Sequence, residues 1–127
     1  MTGFATTRLP PRADVVAPDG SDVRVLPRLA RGSAAHFTLA PGTTSRAIAH
    51  RTVDEIWYVL AGRGEMWRKA DTREEVVALE RDVCLTIPAG THFQFRALGD
   101  EPLAAFAVTM PPWPGDDEAY AVEGRWR

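Results

Sequence analysis

The chain has 127 residues, of which 45% are hydrophobic and 25% charged, and its formal net charge is -2. That composition suits one globular domain around one core. It offers no basic surface of the kind a nucleic-acid partner requires, and no apolar run approaches the length of a membrane span.

Residues 1 to 20 are rich in Pro, Thr and Arg and end in the turn signal Pro18-Asp19-Gly20, which predicts an N-terminal arm with at most a short strand. The arm has no charged segment followed by a long apolar one, so no signal peptide is expected and a cytoplasmic home is the default. From Ser21 the chain becomes a series of short runs divided by Gly, Pro and Asp. Predicted strands cover Ser21 to Leu26, Ser33 to Leu39, Ser45 to His50, Glu55 to Leu60, Glu65 to Lys69, Glu75 to Leu79, Val83 to Ile87, Thr91 to Leu98 and Leu103 to Thr109. No segment sustains a helical apolar period. The even spacing predicts an all-β barrel of two antiparallel sheets over residues 21–110. Residues 111–127 form a tail whose prolines bar it from a central strand. Its Trp113 and Trp126 are expected to pack on the barrel or on a second subunit. The single cysteine, Cys84, excludes an internal disulfide and reads as a small buried residue.

Two stretches carry the candidate chemistry. In GTTSRAIAHRTVDEIWYVLAG, Gly42 to Gly62, residues two apart share a face, which groups Arg46, Ile48 and His50 on one strand and Glu55, Trp57 and Val59 on the next. A hairpin can then bring His50 to Glu55. An imidazole and a carboxylate suit Fe, Mn, Ni or Zn, and equally suit a plain hydrogen bond inside a barrel. In DVCLTIPAGTHFQF, Asp82 to Phe95, the apolar set Phe93, Phe95 and Ala97 predicts an inward face, with His92, Gln94 and Arg96 opposite. A bulge at Gly90-Thr91 would instead aim His92 inward. His36 alternates with Thr38 against Phe37 and Leu39 and reads as a surface or rim residue, with a substitute ligand role as the alternative.

The two stretches resemble the paired motifs of the cupin superfamily. The first motif is Gly, five residues, His-x-His, three or four residues, Glu, six residues, Gly; Gly42, His50, Glu55 and Gly62 fit, while Ile48 stands at the first histidine. The second is Gly, five residues, Pro-x-Gly-x-x-His, three residues, Asn; Pro88 and Gly90 fit, Asp82 replaces the first glycine, Phe93 the histidine and Ala97 the asparagine, and His92 arrives one residue early. The resemblance implies a double-stranded β-helix, or jelly-roll, barrel with a site in its mouth lined by Arg46, His50, Glu55, Trp57, Phe93 and Phe95. It favours a small-molecule-binding protein with a degraded metal site and no cofactor. The alternative is a metal-dependent dioxygenase, isomerase or decarboxylase using one divalent transition metal on His50, Glu55 and His92. Arg46 could hold a ligand carboxylate in a bidentate fork, or equally stand as a solvated charge at the barrel edge.

The strand Glu55 to Leu60 is apolar on both faces. Met66 and Trp67 also point to opposite sides. Such surface needs a cover, and a homodimer is expected, with the tail folding back over Ile56, Tyr58 and Leu60 as the rival.

Overall fold

The computed structural model describes residues 3–127. The chain folds into two antiparallel sheets packed face to face. β1 (Val15–Val16), β2 (Asp22–Leu29), β3 (Gly32–Leu39), β5 (Asp54–Ala61), β8 (Cys84–Ile87) and β10 (Leu103–Met110) form one sheet in the order β1-β2-β3-β10-β5-β8. β4 (Ile48–His50), β6 (Arg63–Ala70), β7 (Arg73–Leu79), β9 (His92–Leu98) and β11 (Ala119–Ala121) form the other in the order β11-β4-β9-β6-β7. Among the described residues the only helix is a single 3₁₀ turn, Asp116–Glu118. Among the described residues no helix is long and apolar enough to cross a membrane. This is the expected jelly-roll barrel.

Alternation of side chains builds the core. Glu55, Trp57 and Val59 on β5, Leu85 and Ile87 on β8, Phe93, Phe95 and Ala97 on β9, and Ala105 and Ala107 on β10 are all buried. Small residues on β10 make room for large ones beside them: Ala107 lies opposite Trp57. The Trp57 ring stacks on Phe37 at 5.4 Å and meets Phe95 edge-on at 4.9 Å. Burying one such side chain stabilises the fold by about 1.5–3 kcal/mol, so this cluster is the centre of the barrel.

The motif glycines mark backbone constraints. Gly62 has φ 82°, and a Cβ there would lie 2.4 Å from the Pro102 carbonyl oxygen. Asp82, which replaces the glycine of the second motif, also takes a positive φ, 76°. Aspartate tolerates that region better than most residues, and its Oδ1 accepts a hydrogen bond from the Tyr58 hydroxyl at 2.6 Å. Cys84 does not behave as expected: it lies on the outward side of β8 and is exposed, because Leu85 and Ile87 take the inward positions.

Short strands from both flanking segments join the barrel. β1 pairs with β2, and β11 pairs with β4. The tail continues across the outer face of the second sheet. There Gln94 donates to the carbonyls of Ser45 and Trp126, and accepts from the Trp126 backbone N–H. Arg96 stacks over the Trp126 ring at 4.3 Å. Gly124 passes so close that a Cβ would lie 2.6 Å from Gln94 Oε1. Met66 and Trp67 are consequently both buried, one inside and one on the outer face. The tail does not cover Ile56, Tyr58 and Leu60, which remain 38–40% exposed on the other sheet.

Candidate functional site

A cavity of about 260 Å³ opens between the sheets where β4 and β9 face β2, β3, β10 and β5. Its walls are mostly apolar. His50, Glu55, Trp57 and Phe93 line it, together with Phe37, Ile48 and Ala35. Two further wall segments come from outside the motifs: the arm through Val15 to Asp19, and the tail through Trp113 and Asp116.

His50 ends β4 and Glu55 lies in β5 just beyond the connecting turn. That turn is held from outside by Glu118, whose carboxylate accepts from the N–H of Thr52 at 2.6 Å, the Thr52 hydroxyl at 2.7 Å and the N–H of Val53 at 2.9 Å. His50 Nδ1 then lies 3.8 Å from Glu55 Oε2 and has no hydrogen-bond partner. The His50 ring is bracketed edge-on by Phe93 at 5.3 Å and Trp113 at 5.0 Å.

Burial pushes the Glu55 carboxyl up to about 7; the Trp57 indole N–H, at 2.5 Å from Oε1, opposes this, and the nearby charge of Asp19 adds to it. Burial pushes the His50 imidazole below its ordinary value, against the charge of Glu118 and a backbone hydrogen bond with Val53. Near neutral pH the pair is therefore a neutral imidazole facing a carboxyl poised close to its titration point. Asp19 is raised by burial too, against two hydrogen bonds from Ser21 and the charge of Arg46.

Four of the six residues expected at the mouth line the cavity. Arg46 does not: regular strand begins only at Ile48, so the alternation does not carry back to it, and its exposed guanidinium donates to the Pro18 carbonyl. Phe95 lies deeper, inside the core against Trp57. His36 sits half-buried on the outer face of β3, opposite Phe106 and Arg24, and burial followed by the Arg24 charge lowers its pKa. Asp19 and Trp113 were missed as site residues. Asp19 read only as a turn former, and it does cap that turn, with Ser21 N–H and Oγ both donating to its Oδ1.

His92 is not brought to His50 and Glu55. The turn Pro88–Thr91 closes with a 3.1 Å hydrogen bond from Thr91 N–H to the Pro88 carbonyl, with Gly90 at φ 85°, and no bulge interrupts β9 where it pairs with β6. Phe93 therefore takes the inward position, and His92 lies on the side of Gln94 and Arg96. Among the described residues no three His, Cys, Asp or Glu side chains are placed to hold a metal ion. The apolar side chains of Ile48 and Phe93 occupy the positions where the motifs put histidines. The donor set thus does not fit a transition metal, which needs three protein ligands or more in such sites.

The family model described as Cupin domain matches residues 35–109. A protein of Methanocaldococcus jannaschii, "Uncharacterized protein MJ1618", is 28% identical over 107 residues, 80% of this chain and 82% of that one. Among solved structures, KdgF from Halomonas sp. superposes with a TM-score of 0.71 at 16% identity, over 87% of this chain and 97% of that one. The capsular polysaccharide assembling protein CapF from Staphylococcus aureus does so with a TM-score of 0.71 at 19% identity, over 85% of this chain but only 33% of its own. At such identities these structures speak for the fold alone, and this chain spans about a third of CapF. A match across more than half of the chain, on a barrel of this topology, shows that the chain belongs to the cupin family.

Proposed function

We propose that this chain is a small-molecule-binding cupin whose ancestral metal site has lost its donors. One observation carries the reading: a largely apolar cavity with a few convergent polar groups lies where the motifs place a metal, and Phe93 and Ile48 fill the ligand positions. Ligand pockets have that character. The test is a thermal-shift screen of a small-molecule library against the wild type and Ala35→Trp, which fills the cavity from β3. Hits are expected that raise the melting temperature of the wild type and not of the variant. A library that shifts both proteins alike, or neither, would count against the reading.

A metal-dependent enzyme using His50, Glu55 and His92 is the second reading, favoured by the unpartnered Nδ1 of His50. Metal analysis of purified protein separates the two. The first expects well under one equivalent of Fe, Mn, Ni or Zn; a tightly held equivalent would require His92 to turn inward and would replace it.

We also propose that the protein is a homodimer through the outer face carrying Ile56, Tyr58 and Leu60. Phe106 lies opposite Tyr58 and Val108 opposite Ile56, so the face is a continuous apolar surface on β5 and β10. Surfaces of this kind mark interfaces. Light scattering is expected to give twice the mass of the chain, and a monomer at high micromolar concentration would refute the assignment.

A further inference from the structure

The interior polar groups are one-sided. Two carboxyls, Asp19 and Glu55, are about 95% removed from solvent and line the same cavity. Each spends one oxygen on the protein. Asp19 Oδ1 takes both hydrogen bonds from Ser21, and Glu55 Oε1 takes the Trp57 indole, while Glu55 Oε2 has only the distant His50 nitrogen. No arginine or lysine side chain is buried among the described residues that line the cavity. Arg28 is exposed at the mouth and donates to the Trp113 carbonyl. Arg46 is held outside by the Pro18 carbonyl, and Asp116 stands at the rim. The remaining interior groups, Ser33 and Thr109, bond to each other. Aromatic rings from Trp57, Phe37, Phe93 and Trp113 complete the walls.

We propose that the cavity takes a compact organic cation, an ammonium group on a small apolar body, with the ammonium between Asp19 and Glu55 and the body against Trp57 and Phe93. This rests on the small-molecule reading above and gives it a substrate class. An ammonium supplies the donors that the free carboxyl oxygens lack, in charge-assisted hydrogen bonds stronger than neutral ones. Aromatic faces add cation–π attraction once the site is dry. A carboxylate ligand would meet two acids and no buried cation, the reverse of what Arg46 in the mouth would have provided.

Benzylamine, benzyl alcohol and benzoate differ only in the charge and donor character of one end, and calorimetric titration of each into the full chain tests the assignment. Benzylamine is expected to bind at least about tenfold more tightly than benzyl alcohol, with benzoate weakest. Glu55→Gln and Asp19→Asn are each expected to lose about tenfold toward the amine and to leave the alcohol within about twofold. Melting curves identify any variant that fails to fold, and the other then carries the test. Benzoate or benzyl alcohol as the tightest probe would overturn the cation assignment while leaving a small-molecule site standing. So would amine binding untouched by both substitutions. Silence from all three probes also overturns it, and the library screen with Ala35→Trp then decides separately whether the site binds small molecules at all.

Discussion

Glu55 and Glu118 are both buried, at 4% and 6% exposure, yet their surroundings oppose each other. Glu118 receives three donors from Thr52 and Val53. Burial alone would raise its pKa, but the two backbone N–H groups, the Thr52 hydroxyl and the charge relation to His50 hold it below the ordinary carboxylate value. For Glu55 burial wins: only one indole donor opposes it and the Asp19 charge adds to it, so its carboxyl rises to about 7. A buried carboxylate whose lone pairs are filled by the backbone is a structural clamp. On the reading proposed above, one whose second oxygen faces a cavity serves as a recognition group. The first fastens the tail to the turn that positions the second.

The largest expected effect comes from breaking the clamp. Glu118→Ala strands the Thr52 and Val53 donors and should lower stability by about 3–4 kcal/mol, read as the urea midpoint. Glu118→Gln, which keeps the shape and one accepting oxygen, should recover part of that loss. A change under about 1 kcal/mol for Glu118→Ala would mean that the tail does not depend on the clamp.

Next in size is the pH dependence. Glu55 is raised in the folded state, from 4.5 to about 7. Its contribution is therefore full below pH 4.5 and is lost as pH rises through 7, up to about 3 kcal/mol. Glu118 is lowered, so its contribution is full above 4.5 and is lost as pH falls below that value. Because His50, His36 and Asp19 also titrate differently in the folded state, the informative quantity is the stability difference between wild type and Glu55→Gln across pH 4 to 8. That difference should shift in favour of the variant as pH rises from 4.5 to 7. A flat difference curve would show that Glu55 is not raised.

The smallest effect on the single chain sharpens the contrast from outside. Leu60→Asp on the bare face should change monomer stability by no more than about 0.5 kcal/mol, yet halve the mass seen by light scattering. Trp67→Phe on the tail-covered face should leave that mass unchanged. If both variants keep the dimer, the interface lies elsewhere.

The barrel was legible because burial on one face leaves a two-residue period in the sequence, as in Leu85 and Ile87 or Phe93, Phe95 and Ala97. The same period placed Phe93 inward and His92 outward. It failed at Arg46, where the strand is not yet regular, and at Cys84, where an apolar run hid an outward position. Asp19 and Trp113 could not be read as site residues because their place depends on how distant segments fold back. Nor could the path of the tail, which covers Trp67 and Gln94 and leaves Leu60 bare, since tryptophan and proline announce packing without naming the surface.

Asp19, Trp113 and Asp116 lie outside residues 35–109, the span that matches the family. Descent can therefore keep the barrel while exchanging the chemistry of its mouth, since changes in either flanking segment alter the walls without disturbing the pairing of β3, β5 and β10. Relatives chosen for likeness of the central span would then share an architecture but need not share a diet.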